Sequence, residues 1–363
     1  MSIDRKAAIL DALSTLEKSD TARGERFAAA AYKKVLGQIK TLPHVFTMDD
    51  LASVNGIGAK MKLKMNELLE TGKLQSAEHA KANPEFAAYQ ALLNVYGIGP
   101  VKAKKFVEDG VDSIVELRRR AAADPEFLTA AQKLGLQYYE DSIERIERAE
   151  IDRHAIVLKK AFVTDAGLQM EIVGSYRRGV ANSGDIDVLI TAAPGQTKKS
   201  AAAAFKKAVD QLIEDEYILG VLARGPAKTL AFAGVASGFG VSNSGAKKPG
   251  RRLDLLLTDP EEFAYAILYF TGSDQFNIAM RRAALDQGYT MNEHTMTPTC
   301  SDAPSPPPMH SERNIFDYLG LAWVEPTERR DGGQVVEATA TATARSPQEI
   351  LAAMRAKKAT SGK

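Results

Sequence analysis

Apolar residues recur at three- and four-residue spacing through the first third of the chain, then in short alternating runs in its second half. The first pattern predicts amphipathic helices over Arg5–Leu16, Arg23–Ile39, Lys60–Leu69 and Phe86–Val95, punctuated by Gly, Pro or Asn. From about Met170 the runs DIDVLIT (Asp185–Thr191) and LDLLLT (Leu253–Thr258) read as strands, with helices over Lys198–Ile213 and Pro260–Tyr269. Asn83-Pro84 reads as a junction, Gly234–Gly250 as a glycine-rich basic surface loop, and APSPPP (Ala303–Pro308) as another loop. After Arg330 bulky residues thin out and the chain ends in AAMRAKKATSGK, which reads as a disordered tail with a short helix near Pro347–Ala356. The fold class is therefore α+β. Its expected parts are helical segments over 1–83 and 84–144, a mixed-sheet unit over 145–257, a smaller unit over 258–330, and the tail over 331–363.

Composition narrows the class by exclusion. At 363 residues, 45% hydrophobic and 26% charged, the chain is neither disordered throughout nor a single small domain. It contains no apolar run of about 18 residues, so no membrane partner is expected. MSIDRKAAIL lacks the basic-then-apolar order of a signal peptide, which predicts a soluble intracellular protein. A single cysteine, Cys300, excludes an internal disulfide framework and a multi-cysteine zinc site. With 47 basic and 46 acidic side chains the net charge is +1, so a polyanion must be met by local patches.

Two such patches resemble each other. SVNGIGAKMKLKM (Ser53–Met65) and VYGIGPVKAKKFV (Val95–Val107) each place a Gly-Ile-Gly turn before a lysine-rich helix. A turn of this kind leaves backbone N–H groups free at the positive end of a helix dipole, which is a cradle for phosphate. One copy is equally well an ordinary helical hairpin. Two copies, at Gly56 and Gly58 and at Gly97 and Gly99, favour a grip on backbone phosphates that reads no bases.

The strongest chemistry lies in GSYRRGVANSGDIDVLI, Gly174–Ile190. Asp185 and Asp187 are two apart on a predicted strand and so share a face. Asp254 is an acid on a second apolar strand, where packing gives it no reason to be. Close like charges need a cation between them or a shared proton. Three carboxylates can hold two Mg²⁺ ions, with Mn²⁺ able to substitute, and two ions serve an in-line displacement at phosphorus. Gly174-Ser175, Arg178 and the Ser183-Gly184 turn supply donors suited to a triphosphate. A lone Asp-x-Asp is more often a solvated strand end, but this combination reads as nucleotidyl transfer.

The hairpins and GSYRRGVANSGDIDVLIT together resemble the family X DNA polymerases, of the polymerase beta type. YFTGSDQFNIAMR (Tyr269–Arg281) is similar to that family's nucleotide-selection segment, and GYTMNEHT and NIFDYLGLAWVEP to its closing subdomain, so the likeness covers about residues 5–330. It implies a lyase-like domain over 1–83, a DNA-binding subdomain over 84–144, a catalytic palm over 145–257 and a nucleotide-selection subdomain over 258–330. It also implies that Asp185 and Asp187 bind both metals, while Asp254 binds the catalytic one and acts toward the primer 3′-hydroxyl. Ser175, Arg178, Ser183, Gly184 and Arg145, from the helix before the palm, would hold the triphosphate. Tyr269 and Phe270, in the turn with Gly272, would exclude a ribose 2′-hydroxyl. Asp274 would lie against the base and Asn277 at its minor-groove edge. Lys228, Arg252 and Arg281 would meet DNA, Arg252 near the primer phosphate and Arg281 on the template. The carbonyls of Ala52, Val54 and Ile57, and of Leu93, Val95 and Ile98, would each hold a Na⁺ or K⁺ ion touching a phosphate.

Lys60 and Lys64 lie four apart on one helix face, where lysines usually act as plain charges toward phosphate. The resemblance instead matches Lys64 to a Schiff-base nucleophile that removes a 5′-deoxyribose phosphate, with Lys60 assisting and Tyr32 in the pocket. Phe27 stands where the family carries histidine and could stack on a base. Ala28 replaces a basic residue, which weakens the expected hold on the 5′-phosphate. Leu256 replaces an arginine and His294 a tyrosine of the opening and closing machinery. The expected activity is template-directed gap filling in base-excision repair with an associated lyase, acting as a monomer on gapped or nicked DNA with dNTPs. Localisation would be nuclear if eukaryotic, or a viral replication or repair compartment. Other readings are a template-independent or ribonucleotide-adding transferase, or an inactive DNA-end-binding scaffold. No BRCT module is expected before Arg5.

Overall fold

The computed structural model describes residues 3–42, 44–235, 248–300 and 304–338. The chain divides between Tyr139 and Glu140 into two compact units. Among the described residues no helix is long and apolar enough to cross a membrane.

The first unit is helical: α1 (Lys6–Arg23), α2 (Arg26–Thr41), α3 (Ala59–Thr71), α4 (Gln75–Lys81), α5 (Pro84–Leu93), α6 (Pro100–Glu108), α7 (Ile114–Ala123) and α8 (Ala130–Gln137). The sequence sets the breaks. Helix α1 runs past Leu16 to Arg23 and stops where Gly24 turns left-handed. At α5 the Asn83 side chain accepts from the amides of Glu85 and Phe86, with Pro84 at the first helical position, so the junction is a cap and not a linker. Two cores form. One gathers Ile9, Leu13, Val35, Ile39, Met65 and Leu68, and the other Phe86, Leu92, Ile98, Phe106 and Leu117.

After α9 (Tyr139–Ile143), the second unit contains β1 (Ile146–Glu147), α10 (Arg148–Lys159), β2 (Gln169–Ile172), α11 (Gly174–Arg177), β3 (Asn182–Ser183), β4 (Ile186–Thr191), α12 (Lys198–Glu214), β5 (Ile218–Arg224), β6 (Lys228–Ala233) and β7 (Arg251–Thr258). Five strands make a mixed sheet in the order β2-β4-β7-β6-β5, in which only β4 and β7 run parallel. Alternation sorts the side chains. Ile186, Val188, Ile190, Leu253 and Leu255 pack with Ile151 and Leu158 of α10 and Phe205 and Val209 of α12. Leu189 and Leu256 point to the opposite face and meet Ala266 and Phe270. That face belongs to α13 (Phe263–Thr271), which is followed by α14 (Asp274–Asp286), β8 (Tyr289–Met291), β9 (Met296–Pro298) and α15 (Glu312–Tyr318).

Three expectations change. Strand β4 begins at Ile186, leaving Asp185 just outside it. The helix expected from Pro260 begins at Phe263, because residues 259–262 form the turn leaving β7. The folded part does not end at Arg330: the Ala322 amide donates to Val336 and the Ala338 amide to Gly320, each at 2.9 Å, and Val335 packs on the core. Backbone pairing holds residues 331–338 where bulky side chains are scarce. The remainder of the tail with its helix near Pro347–Ala356, and residues 236–247 of the glycine-rich loop, lie outside the described residues.

One buried ion cluster ties α15 to α11. Arg177 Nη2 donates to Glu312 Oε2 at 2.7 Å, and Arg329, fully buried among the rings of Phe276, Phe316 and Trp323, donates to Glu312 Oε1. Removing the shared acid strands the buried Arg329 and takes the carboxylate from the half-buried Arg177. Glu312→Ala is therefore expected to cost about 3–5 kcal/mol of stability in urea unfolding. A loss under about 1 kcal/mol would show that the cluster is already hydrated, as exposed ion pairs are.

Candidate active site

Strand register brings the acids together. Asp187 on β4 lies directly opposite Asp254 on the parallel neighbour β7, and both project to the α13 face. Asp185 joins from the residue before β4. Burial pushes the Asp187 carboxyl up to about 7, helped by the charges of Asp185 and Asp254 and opposed by Arg252 and Arg178. Burial raises Asp254 too, against the pull of Arg252 and Lys228. Arg252 Nη2 sits 3.4 Å from both Asp185 Oδ2 and Asp254 Oδ2.

These acids fit a divalent cation on charge: they are carboxylates brought together at one site, where a cation would relieve their mutual repulsion. Among the described residues no three His, Cys, Asp or Glu side chains close around one point. The acids therefore offer part of a coordination shell, and incoming oxygens must complete it.

Gly174 opens α11 beside them with φ at +60°. A Cβ there would lie 2.5 Å from Asp187 Oδ2, so both backbone and space demand glycine. Ser175 Oγ donates to Ser183 Oγ at 2.7 Å, joining α11 to β3. Arg178 Nη1 donates to the Thr271 carbonyl at 2.6 Å, at the end of α13. Burial lowers the pKa of Arg178, with Asp274 and Asp187 countering it. Arg145 is not on a helix as expected but in the extended link before β1, where Asn182 takes its Nε at 2.9 Å and its Nη2 at 2.8 Å.

A cleft of about 670 Å³ opens over these groups. Of the ten predicted nucleotide-site residues it is lined by nine: Arg145, Ser175, Arg178, Gly184, Tyr269, Phe270, Gly272, Asp274 and Asn277, with Ser183 beneath. Tyr269 and Phe270 are half-buried at its wall, their rings edge-on at 5.2 Å, and Phe270 also packs on the Val173, Leu189 and Ala266 cluster. Asn277 Nδ2 donates to the Tyr269 carbonyl at 2.6 Å, and Arg281 is exposed on the same helix face. Ile278 also lines the cleft, 57% exposed, and sequence reasoning missed it. Its signal was an isoleucine on the polar face shared by Asp274 and Arg281. Lys228 lies on β6, near enough to Asp254 to act on its charge.

Two departures noted in the sequence also take definite places. Leu256 fills the apolar cluster of Val173, Leu189 and Ala266, so no ion pair forms there. His294 Nδ1 pairs with Glu262 at 2.9 Å, and that carboxylate raises its pKa.

The first unit carries the other predicted groups. Lys64 Nζ donates to Tyr32 Oη at 2.6 Å, Lys60 is exposed one turn earlier, and Phe27 is 96% exposed on the first turn of α2. Gly56 and Gly97 take positive φ, as their turns require. Gly58 and Gly99 do not, and a Cβ on either would meet nothing within 4 Å. Both are helix N-caps, where glycine is accepted, and the open space beside them leaves a ligand free to approach the helix amides. In the second hairpin Lys102 is tied to Gln132, which donates to the Gly97 carbonyl at 2.6 Å. Of the six carbonyls predicted to face a monovalent cation, that of Val95 accepts the Ile98 amide at 3.0 Å.

Comparison with known proteins covers most of the chain. The description "DNA polymerase beta palm" matches residues 145–260 and "DNA polymerase beta thumb" residues 266–330. "Fingers domain of DNA polymerase lambda" matches residues 90–142 and "Helix-hairpin-helix domain" residues 4–74. The chain is 30% identical over 335 residues to DNA polymerase lambda of Rattus norvegicus, across 88% of this chain and 56% of the relative. It is 28% identical over 320 residues to DNA polymerase lambda of Arabidopsis thaliana, across 85% of this chain and 59% of the relative. The chain thus spans little more than half the length of these curated relatives.

The mutual repulsion of the acids predicts a reversal. At pH 8 in EDTA, Asp187→Asn should melt above wild type, because it removes one of three crowded charges. Millimolar Mn²⁺ should raise the wild-type melting temperature and leave the variant nearly unmoved. A wild type indifferent to Mn²⁺ would mean that the acids hold no divalent ion.

Proposed function

We propose a specific reaction for this chain, which belongs to the family X DNA polymerases: template-directed addition of dNTPs to a primer 3′-hydroxyl at short gaps in DNA. The observation that carries this reading is the Asp187–Asp254 register at the floor of a cleft whose walls bear Arg178 on one side and Tyr269, Asp274 and Asn277 on the other. A triphosphate fits the donor-rich side, a base fits the α14 side, and the acids lie between.

Asp185, Asp187 and Asp254 would hold two divalent ions, Mg²⁺ or in its place Mn²⁺. Those ions supply activation of the 3′-hydroxyl and charge neutralisation on the transferring phosphoryl group. The protein does the positioning. Ser175, Gly184, Arg145 and Arg178 offer hydrogen bonds to phosphate oxygens, and Arg178 is fixed by Thr271 at the turn of the sugar pocket. Asp254 is the acid reaching least into the cleft, suited to the primer side, and Arg252 beside it can turn from carboxylate to primer phosphate. Tyr269 and Phe270 narrow the space beside the sugar. The buried acids argue against a scaffold, since uncompensated charges destabilise a fold without serving it.

The two hairpins would grip the duplex through phosphates, each with a Na⁺ or K⁺ ion at its carbonyls. The Lys64–Tyr32 pair supports 5′-deoxyribose phosphate removal. Lys64 Nζ would attack the sugar aldehyde, the resulting Schiff base allows β-elimination of the phosphate strand, and hydrolysis frees the enzyme.

On one-nucleotide-gapped DNA with Mg²⁺, Asp254→Ala is expected to lower extension by at least about 10³-fold while gapped-DNA affinity stays within about twofold. Near-normal extension by that variant would end the assignment. Borohydride should trap wild type and Asp254→Ala on 5′-incised abasic DNA, and trap Lys64→Ala far less. Equal trapping by Lys64→Ala would leave the first unit as a DNA clamp only.

A further inference from the structure

The loop between β9 and α15 is not accounted for by nucleotidyl transfer. Four of the five residues Pro304–Pro308 are proline, with Ser305 the exception. Each proline locks its own φ near about −65°, and Ser305, Pro306 and Pro307 each precede a proline, which drives them out of the helical region. The segment can adopt little but a left-handed polyproline helix of three residues per turn. It carries no helix or strand in the structure, as that geometry requires. Both ends are fixed. Tyr289 Oη donates to the Pro304 carbonyl at 3.3 Å, and Met309 is buried in the thumb core. Between these anchors Ser305, Pro307 and Pro308 are exposed. A turn needs one proline at most, so four among five residues of a partly exposed, anchored stretch exceed what the connection demands.

We propose that Pro304–Pro308 is a docking ridge for a protein module with a tryptophan-lined proline groove of the WW kind. Period three places Pro304 and Pro307 along one edge and Ser305 and Pro308 along the next, so two pyrrolidine rings or a ring and a small side chain enter adjacent slots. No Lys or Arg stands between Cys300 and Glu312, and the next one, Arg313, lies over the Trp323 ring at 5.6 Å. The partner groove therefore reads rings and carbonyls without an acidic pocket for a flanking cation, which disfavours an SH3 module. Because the ridge is already ordered, docking forfeits little chain entropy. The surface is separate from the cleft residues and does not depend on the polymerase reading.

The test is a tryptophan-fluorescence titration of a panel of WW modules, and of SH3 modules alongside, with the full chain. Saturable change with a WW module is expected, reduced about tenfold or more by the triple change Pro306→Ala, Pro307→Ala and Pro308→Ala. A free peptide spanning Ala303–His310 should compete with the wild-type chain, which keeps the result readable if the triple variant fails to fold. Primer extension by the triple variant should match wild type. The proposal is overturned if no WW module responds up to about 1 mM chain, if the peptide does not compete, or if SH3 modules bind more tightly.

Discussion

Everything at the active site depends on holding Asp187 and Asp254 side by side on parallel strands against their own repulsion. The apolar residues that alternate with them do the holding. Val188, Leu189 and Ile190 on β4 and Leu253 and Leu255 on β7 are fully buried. Each such side chain contributes about 1.5–3 kcal/mol when taken from water. Their sum exceeds the few kcal/mol that one raised carboxylate costs. Register is fixed by the same alternation, since a slip of either strand by one residue would turn its acid into the layer of α10 and α12 and bring an apolar side chain to the cleft. The fold can therefore keep three acids in a state that favours capture of positive charge.

The second constraint is the joint between α11 and the thumb. Helix α11 begins at Gly174 against Asp187 and ends in Arg177, whose guanidinium reaches both Thr271 and Glu312. The next residue, Arg178, holds the Thr271 carbonyl. A four-residue helix thus connects the Ser175 and Arg178 side of the cleft to the end of α13, where Tyr269 and Phe270 stand. Glu312 gains a second partner in Arg329, which lies within the aromatic cluster of the thumb. Any displacement of α15 is transmitted to both walls of the cleft through charged groups that cannot be left unpaired. The apolar Leu256 and the surface pair His294–Glu262 provide nothing equally binding, because an exposed ion pair contributes about 1 kcal/mol or less.

Periodicity made the helices and strands legible, and acids on apolar strands made the floor of the cleft legible, because a buried charge breaks a pattern that packing alone would complete. Element ends were less visible. The alternation runs on through Asp185, although aspartate is a poor strand former and isoleucine a good one, and the ladder to β7 begins only at Ile186. The family resemblance places Arg145 on a helix, whereas it stands in the link before β1 with two bonds to Asn182. The Glu312 cluster was illegible for another reason. Arg177, Glu312 and Arg329 are separated by up to 152 positions, and nothing in sequence distinguishes a buried arginine from a solvated one. Ile278 was overlooked because an exposed isoleucine carries meaning only once its neighbours are known to line a cleft. Residues 331–338 misled by lacking bulk, although their order comes from backbone pairing.

Glycines separate what the fold requires from what a ligand requires. Gly174 is demanded by its φ and by the carboxylate beside it, and Gly56 and Gly97 by their turns. Gly58 and Gly99 are demanded by neither. Their φ values, −76° and −85°, suit any residue, and added methyl groups would point into open space. Each sits at the N-cap of a helix that continues with lysines, the position where a side chain such as serine would normally satisfy the free amides. Glycine in place of serine or aspartate there costs the isolated helix only about a few tenths of a kcal/mol. An anionic oxygen at the same amides would recover that loss and add the favourable interaction with the helix dipole. The same omission in both hairpins, on helices with otherwise different sequences, leaves open space beside free amides at each, which is the room an anionic ligand would need.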